Sequence, residues 1–329
     1  MKEARTGTAK RASVGTETAA TPPRFFQLIP PTVNINFVGM RLRMLVLSWI
    51  LIAIGLVSIW MKGGLNYGID FSGGTLVDVR FSQAQPAGDV RAAVEGKGLE
   101  GVVVQAVGPE GREYQVRAAI GEGEGESDKT AGEIQAGLRE KFGDGSFDVQ
   151  RIEAVGPKVG RDLWRSAALA VLAATVMMGI YIAIRFDFRF GVGAAVAVLH
   201  DVLITLGAIS ITNLEFDLTT VAALLTVVGY SVNDTVVISD RIRENLRKMR
   251  RESLATVMNL SINETLSRTV ITGGTAIIAT AVLFWLGGPV IHSFAFTMMF
   301  GFIVGTYSSV YISSPIVLYL DRPGAKKRG

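Results

Sequence analysis

Long apolar stretches separated by polar segments dominate the pattern of this chain. Each stretch approaches or exceeds the length that crosses a bilayer as a helix, roughly 20 residues. The stretches cover residues 44–60, 166–184, 190–211, 218–239, 269–286 and 293–320. The region between the first two, residues 62–161, has an ordinary soluble composition. The pattern therefore predicts one membrane helix, one soluble domain and then five further membrane helices.

The soluble region contains two kinds of periodicity. Alternating or β-branched runs predict strands, and apolar residues at helical spacing predict helices. The strands are expected at residues 75–82, 102–107, 113–120 and 147–155, and the helices at residues 90–97 and 131–142. This βαββαβ order is that of the ferredoxin-like split motif, an antiparallel sheet with two helices on one face. The sequence GEGEGESDK, residues 121–129, predicts a flexible acidic loop between its halves.

Together these patterns predict a polytopic α-helical membrane protein with an inserted α+β domain. The expected boundaries are a polar N-terminal tail over residues 1–43, a first membrane helix over 44–61, the α+β domain over 62–161, a five-helix bundle over 162–320 and a short tail over 321–329. Most of the N-terminal tail is predicted to be disordered because it lacks apolar periodicity. It does not resemble a signal peptide, since no small-residue cleavage site follows the first apolar stretch.

Four clusters of basic residues flank the apolar stretches, and all four fall on the same side of the predicted membrane. The clusters are Arg24, Arg41 and Arg43; Arg185 and Arg189; Arg241, Arg243, Arg247, Lys248, Arg250 and Arg251; and Arg322, Lys326, Lys327 and Arg328. The opposite short loops, TNLEFDL and GGPVIH, contain no lysine or arginine. The positive-inside rule therefore predicts cytoplasmic termini and an α+β domain on the outer side of the membrane, which the resemblance given below implies is the periplasm. The net charge of +4 does not indicate a nucleic-acid partner, and the absence of cysteine excludes disulfide and thiolate chemistry.

One carboxylate lies inside the fourth apolar stretch. Asp234, in the sequence VVGYSVNDTVVISD, is expected about 10 Å from the inner end of its helix. A charge at such a depth costs on the order of 2.5 to 3.5 kcal/mol. Arg268, at the start of the fifth span, lies at a matching depth, and the residues around both are small or polar. We therefore predict an Asp234–Arg268 ion pair whose breaking on protonation switches the conformation.

Other interpretations of these charges remain open. In one alternative, Asp234 is a structural hydrogen-bonding group and Arg268 only extends its side chain to the membrane interface. His200 and Asp201, mid-way along the third span, and Asn233 are expected to surround the pair, although consecutive residues point about 100° apart. An intramembrane aspartyl protease needs two carboxylates that share a proton, whereas Arg268 is expected to keep Asp234 ionised.

A glycine-rich sequence, GLNYGIDFSGGT, joins the first helix to the α+β domain. Its Gly68, Asp70, Gly73 and Gly74 predict tight turns with close backbone approach, as in a hinge or a docking strand. A phosphate-binding loop is disfavoured because neither a Walker lysine nor an amphipathic helix follows.

The connection between the fourth and fifth spans is also patterned. Ile242, Leu246 and Met249 occur at helical spacing beside six basic residues. This pattern predicts an amphipathic helix that lies on the inner membrane surface.

Four motifs in order resemble the SecF members of the SecD/SecF family. They are GIDFSGGT at residues 68–75, VGPKVGRDL at 155–163, VVGYSVNDTVVISDRIREN at 227–245 and INETLSRTVITGGT at 262–275. The resemblance covers residues 37–320. It implies half of a transporter of the resistance-nodulation-division type in the bacterial inner membrane, obligately paired with SecD and in contact with SecYEG, with YajC nearby.

The resemblance also implies a function. Members of the family use the proton gradient, or sodium in some relatives, to help draw an unfolded preprotein outward after SecA has inserted it. Asp234 and Arg268 fall on the proton-relay positions, and no enzymatic reaction, metal or cofactor is expected. A proton-coupled half-transporter for a lipid or a small molecule remains the alternative.

Overall fold

A computed structural model of the chain describes residues 33–107, 110–119 and 126–321. Residues 1–32 of the N-terminal tail, most of which is predicted to be disordered, lie outside the described residues. Residues 322–329 of the C-terminal tail and the first five positions of the predicted acidic loop lie outside them as well. The last four positions of that loop, residues 126–129, are helical. In chain order the elements are α1 (Phe37–Met61), β1 (Asn66–Tyr67), α2 (Ile69–Ser72), β2 (Gly74–Phe81), α3 (Ala87–Glu95), β3 (Val103–Val107), β4 (Glu113–Ala118), α4 (Glu126–Phe142), β5 (Phe147–Val155), α5 (Pro157–Arg185), α6 (Phe188–Thr212), β6 (Glu215–Phe216), α7 (Leu218–Lys248), α8 (Leu254–Leu286), α9 (His292–Ser308) and α10 (Ser314–Leu320).

Six helical segments of the described chain are long and apolar enough to cross a membrane, which confirms the predicted membrane architecture. They are α1, α5, α6, α7, α8 and the run from α9 through α10. Several extend beyond the apolar stretch because polar residues cap them. Asn36 accepts a hydrogen bond at the start of α1, Asp217 at the start of α7 and Ser253 at the start of α8.

The predicted amphipathic helix on the inner surface is wrong. α7 continues to Lys248 and α8 begins at Leu254, so only five residues connect them. Ile242 is fully buried and Leu246 packs beside it, in a cluster with Met258 and Ile262 of α8. Their apolar stripe is covered by a neighbouring helix and therefore does not face lipid.

The sheet of the α+β domain confirms the predicted split motif. Its strand order is β3-β4-β2-β5 and all neighbours are antiparallel. Val77, Val79 and Phe81 of the central strand pack against Ile134 and Leu138 of α4 in one core. The two helices therefore lie on one face of the sheet and leave the other face toward the bundle.

The last membrane-spanning segment changes its helical form toward its C-terminal end. Residues Ser309–Ser313 form a π-helical turn between α9 and α10. Such turns are rare and occur frequently at functional sites. Ser308, the last residue of α9, and Ser309, the first of the turn, are both buried in the bundle.

Candidate functional site

Asp234 lies on the buried face of α7. Its side chain is only 6% exposed. The Thr269 hydroxyl on α8 donates to Oδ1 at 2.7 Å. The other oxygen, Oδ2, is buried and makes no hydrogen bond within the described part of the chain. One oxygen of this carboxylate is therefore held by Thr269, while the other has no hydrogen-bond partner among the described residues.

The structure does not form the predicted ion pair. Arg268 is exposed, and no salt bridge between described residues joins it to Asp234. Thr269, the next residue along α8, contacts the carboxylate instead. Consecutive helical residues point about 100° apart, so the contact by Thr269 turns Arg268 away from Asp234.

The three other residues predicted around Asp234, which are Asn233, His200 and Asp201, lie in different environments. Asn233 is exposed, since it lies one position away from the buried face of α7. Asp201 of α6 is almost completely buried, and its Oδ1 lies 2.9 Å from Nδ1 of His200. Ser231 of α7 and Ser308 of α9 donate to its Oδ2 at 2.6 and 2.8 Å. Three spans therefore converge on Asp201.

Small hydroxyl residues lie between the elements that carry these two carboxylates. The Thr235 and Ser309 hydroxyls lie 2.9 Å apart, and Ser309 also donates to the Ser231 carbonyl oxygen at 3.2 Å. Sequence reasoning missed Ser308 and Ser309. The signal was present as SSVYISS, a serine-rich sequence inside a membrane-spanning segment.

The glycine-rich motif meets the outer end of α7. Asp70 accepts a hydrogen bond from the backbone N–H of Leu218, the first residue of that helix, at 2.9 Å. The Phe71 ring stacks on Phe216 with 5.5 Å between centroids. Gly73 has φ +72°, and a Cβ there would lie 3.0 Å from the Cα of Pro157. Glycine is thus required where the motif crosses the start of α5.

A short parallel sheet and an ion pair reinforce this junction. β1 pairs with β6, so Tyr67 is opposite Phe216. Arg117 of β4 forms a salt bridge with Glu215 at 3.2 Å and donates to the Tyr67 carbonyl oxygen at 3.0 Å. Burial raises the pKa of Glu215 although the Arg117 charge opposes that shift. The α+β domain is therefore bound directly to the connection between α6 and α7.

A cleft of about 700 Å³ opens between the helix-free face of the sheet and the outer ends of the membrane helices. Its sheet side includes Leu76, Gln115 and Arg151, and its membrane side includes Trp285 and Val290. The lining is mixed, with apolar and polar groups on both walls. The cleft thus has the size and composition of a ligand-binding or peptide-binding surface.

Comparison with known proteins identifies the family. A model of the family described as "Protein export membrane protein SecD/SecF, C-terminal" matches residues 135–323. A second, described as "SecD/SecF GG Motif", matches residues 58–85 and so contains the glycine-rich motif.

Similar curated proteins carry one name. "Protein translocase subunit SecF" of Cereibacter sphaeroides is 45% identical over 307 residues, which are 92% of this chain and 94% of that protein. The protein of the same name from Magnetococcus marinus is 43% identical over 92% of this chain and 96% of its own length. That from Vibrio alginolyticus is 42% identical over 90% of this chain and 92% of its own length. The name is that of a translocase subunit and not of an enzyme.

Two solved structures share the fold. The crystal structure of SecDF from Thermus thermophilus matches with a TM-score of 0.78 and 37% identity over 90% of this chain. The structure titled SecDF in the super-membrane-facing form matches with a TM-score of 0.65, also at 37% identity. This chain spans only 39% and 40% of those SecDF chains. Family models, relatives and fold agree that this multi-pass membrane chain belongs to the SecD/SecF family of protein export membrane proteins, together with the relatives named as SecF subunits of the protein translocase.

Proposed function

We propose that this subunit uses the proton-motive force to promote preprotein translocation across the inner membrane. The carrying observation is Asp234, a carboxylate buried in a membrane-spanning helix with one oxygen held by Thr269 and the other without a partner. A charge in the hydrocarbon region is costly, so such a carboxylate is expected to change protonation state as it meets the two sides of the membrane. Proton binding at Asp234 is the first step of the proposed cycle.

The helix that carries Asp234 offers a route from the proton to the outer domain. Asp234 lies 16 residues from Leu218, or about 24 Å along α7 at 1.5 Å per residue. The N-terminal end of α7 contacts Asp70 of the glycine-rich motif. This end directly follows β6, the strand that pairs with β1. A movement of α7 driven by protonation would therefore shift the α+β domain. Gly73 and Gly74 supply the hinge in this proposal.

Arg268 is proposed as the counter-charge of the relay. It lies on a face of α8 that the bundle of this chain leaves exposed. The similar SecDF chains are more than twice as long, which supports a second membrane half packed against this one. We propose that this half is SecD, and that its docking determines whether Arg268 pairs with Asp234 or with a group on SecD.

The remaining partners follow from the same assignment. We propose contact with SecYEG, with YajC nearby, and cytoplasmic termini with a periplasmic α+β domain. The cleft between the sheet and the membrane helices opens on the proposed periplasmic side and is a candidate surface for the unfolded preprotein. No metal or cofactor enters the proposed cycle, and the subunit performs no reaction of its own. The proton gradient, or a sodium gradient in its place, supplies the energy.

Export of a reporter preprotein into inverted vesicles tests this function. The vesicles contain SecD, the translocon and ATP, and an imposed proton gradient is compared with none. We expect the gradient to stimulate export with the wild-type chain and with Asp240→Asn, a matched change at an exposed aspartate of the same helix. Asp234→Asn and Arg268→Met should lose the stimulation. Equal stimulation in all four chains would assign both residues a structural role. Stimulation by a sodium gradient alone would identify sodium, in place of the proton, as the coupling ion.

A further inference from the structure

A histidine and an aspartate form an acid–base pair inside the bundle, at a site separate from Asp234. His200 and Asp201 of α6 are 5% and 1% exposed. We propose that this pair is a separate proton-binding site of the membrane domain, in which His200 takes up the proton and Asp201 stabilises the charged ring. The inference deepens the proposed function and rests on it for its role in transport.

In the proposed resting state Asp201 is ionised, and the hydrogen bonds around it then determine which atom takes the proton. An ionised carboxylate only accepts hydrogen bonds, so Nδ1 of His200 would carry the hydrogen directed at Oδ1. Ser231 and Ser308 donate to the other oxygen, so both oxygens of Asp201 accept hydrogen bonds. Nε2 of His200 is buried and has no hydrogen-bond partner among the described residues. Its lone pair is therefore the acceptor of the site.

The proton balance of this step is simple. An N–H bond forms at Nε2 when a proton arrives, and the neutral imidazole becomes an imidazolium beside the carboxylate. The net charge of the pair changes from −1 to 0, so loading the proton reduces the uncompensated charge inside the membrane. Release at the other side breaks the same N–H bond. Neither an oxidant nor a co-reactant is needed.

Few other ionisable groups face the pair. From α9, the Tyr307 ring stacks on His200 at 6.1 Å, while its hydroxyl donates to the Met44 carbonyl oxygen of α1 and contacts Ser48. From α7 the contact is Ser231, and Asp234 follows one helical turn later. α5 approaches α6 through glycine, at Gly179 and Gly191. Within the described chain, Asp201 is the one charged partner that His200 contacts.

Two consecutive serines, at the end of α9 and the start of the π-helical turn, lie between this site and the first one. Ser308 contacts Asp201, and Ser309 contacts both Thr235 and the Ser231 carbonyl oxygen. Thr235 is in turn the sequence neighbour of Asp234. A buried ion pair contributes little to stability compared with apolar side chains of the same size, so packing alone gives no reason for these residues.

Nitrogen NMR tests the site directly because the chain contains only two histidines. The subunit is labelled with ¹⁵N-histidine, combined with unlabelled SecD in lipid, and its spectrum is followed as the pH is lowered. His200→Gln assigns the signals, and His292 serves as the internal reference. We expect Nε2 of His200 to gain a proton during this acidification. Asp201→Asn should abolish that protonation, whereas Asp201→Glu should preserve it.

The result separates this site from the proposed function. If Nε2 of His200 stays unprotonated in the wild-type chain, or titrates identically in Asp201→Asn, the proposed site is refuted. Loss of gradient-stimulated export in His200→Gln, with ATP-driven export unchanged, is the expected functional result. If wild-type export ignores the gradient, the proposed function fails while the titration of His200 still stands as a property of the bundle.

Discussion

The ion pair between Arg117 and Glu215 links the α+β domain to the membrane bundle. The variant Arg117→Met tests how much this pair stabilises the junction. The two side chains are only 9% and 16% exposed. Removing one partner of a buried pair destabilises by roughly 3 to 5 kcal/mol. Glu215 escapes part of this penalty by taking up a proton, since burial already raises its pKa. We therefore expect the junction to lose about 3 kcal/mol of stability, the low end of this range. A loss of that size makes opening of the junction on the order of 100-fold more frequent.

Hydrogen exchange at the junction measures this opening. The Gly68 N–H donates to the Phe216 carbonyl oxygen and is protected only while β1 and β6 are together. In Arg117→Met the peptides that cover these strands should exchange faster by that factor, while those of the sheet core keep their protection.

The matched control is Arg80→Met. Arg80 forms an ion pair with Glu113 on the same sheet, but these side chains are 59% and 36% exposed, so the loss of the pair should change stability by less than about 1 kcal/mol. Equal exchange at the junction in wild type, Arg117→Met and Arg80→Met would refute the view that the buried pair binds the domain to the bundle.

Three further predictions concern the same framework. Because the pKa of Glu215 is raised in the docked state, that state binds a proton more tightly. Junction protection, corrected for intrinsic exchange, should be greatest below the ordinary range of a glutamate and fall as pH rises through the raised pKa; Glu215→Gln should remove this dependence. A Cβ at Gly207 would lie 2.7 Å from the backbone of α1, so Gly207→Ala should cost roughly 1 to 3 kcal/mol of stability and lower the thermal unfolding midpoint. Gly274→Ala is the control, because a Cβ there meets open space and should leave the midpoint unchanged. Asp70→Ala should cost about 1 kcal/mol and speed exchange at the Leu218 N–H, and unchanged exchange there would contradict its capping role.

The periodic parts of the fold were predictable because their signals are local. Apolar stretches longer than a bilayer is thick identify membrane spans wherever they occur in the chain. Alternation located the strands of the sheet, and the predicted strand at residues 147–155 coincides with β5.

Contacts that depend on three-dimensional packing were not predictable from local pattern. β1 and β6 are two residues each and lie almost 150 residues apart, so neither shows a period. The direction of Arg268 depends on the rotation of α8, which the Thr269 contact fixes. The stripe at Ile242 and Leu246 suited a surface helix equally well, and only the packing of α8 decides that it is buried. A π-helical turn likewise has no period of its own to detect.

Proton flux through the purified complex tests the role of Asp234 most directly. The subunit and SecD are reconstituted in vesicles with a pH-sensitive dye inside, and an imposed gradient is followed with an unfolded preprotein present. The wild-type chain and Asp240→Asn should carry protons at equal rates. Asp234→Asn should reduce the flux to that of empty vesicles, although its side-chain oxygen still accepts the hydrogen bond from Thr269. Wild-type flux through Asp234→Asn would contradict proton binding at this carboxylate and would place the coupling step elsewhere in the complex.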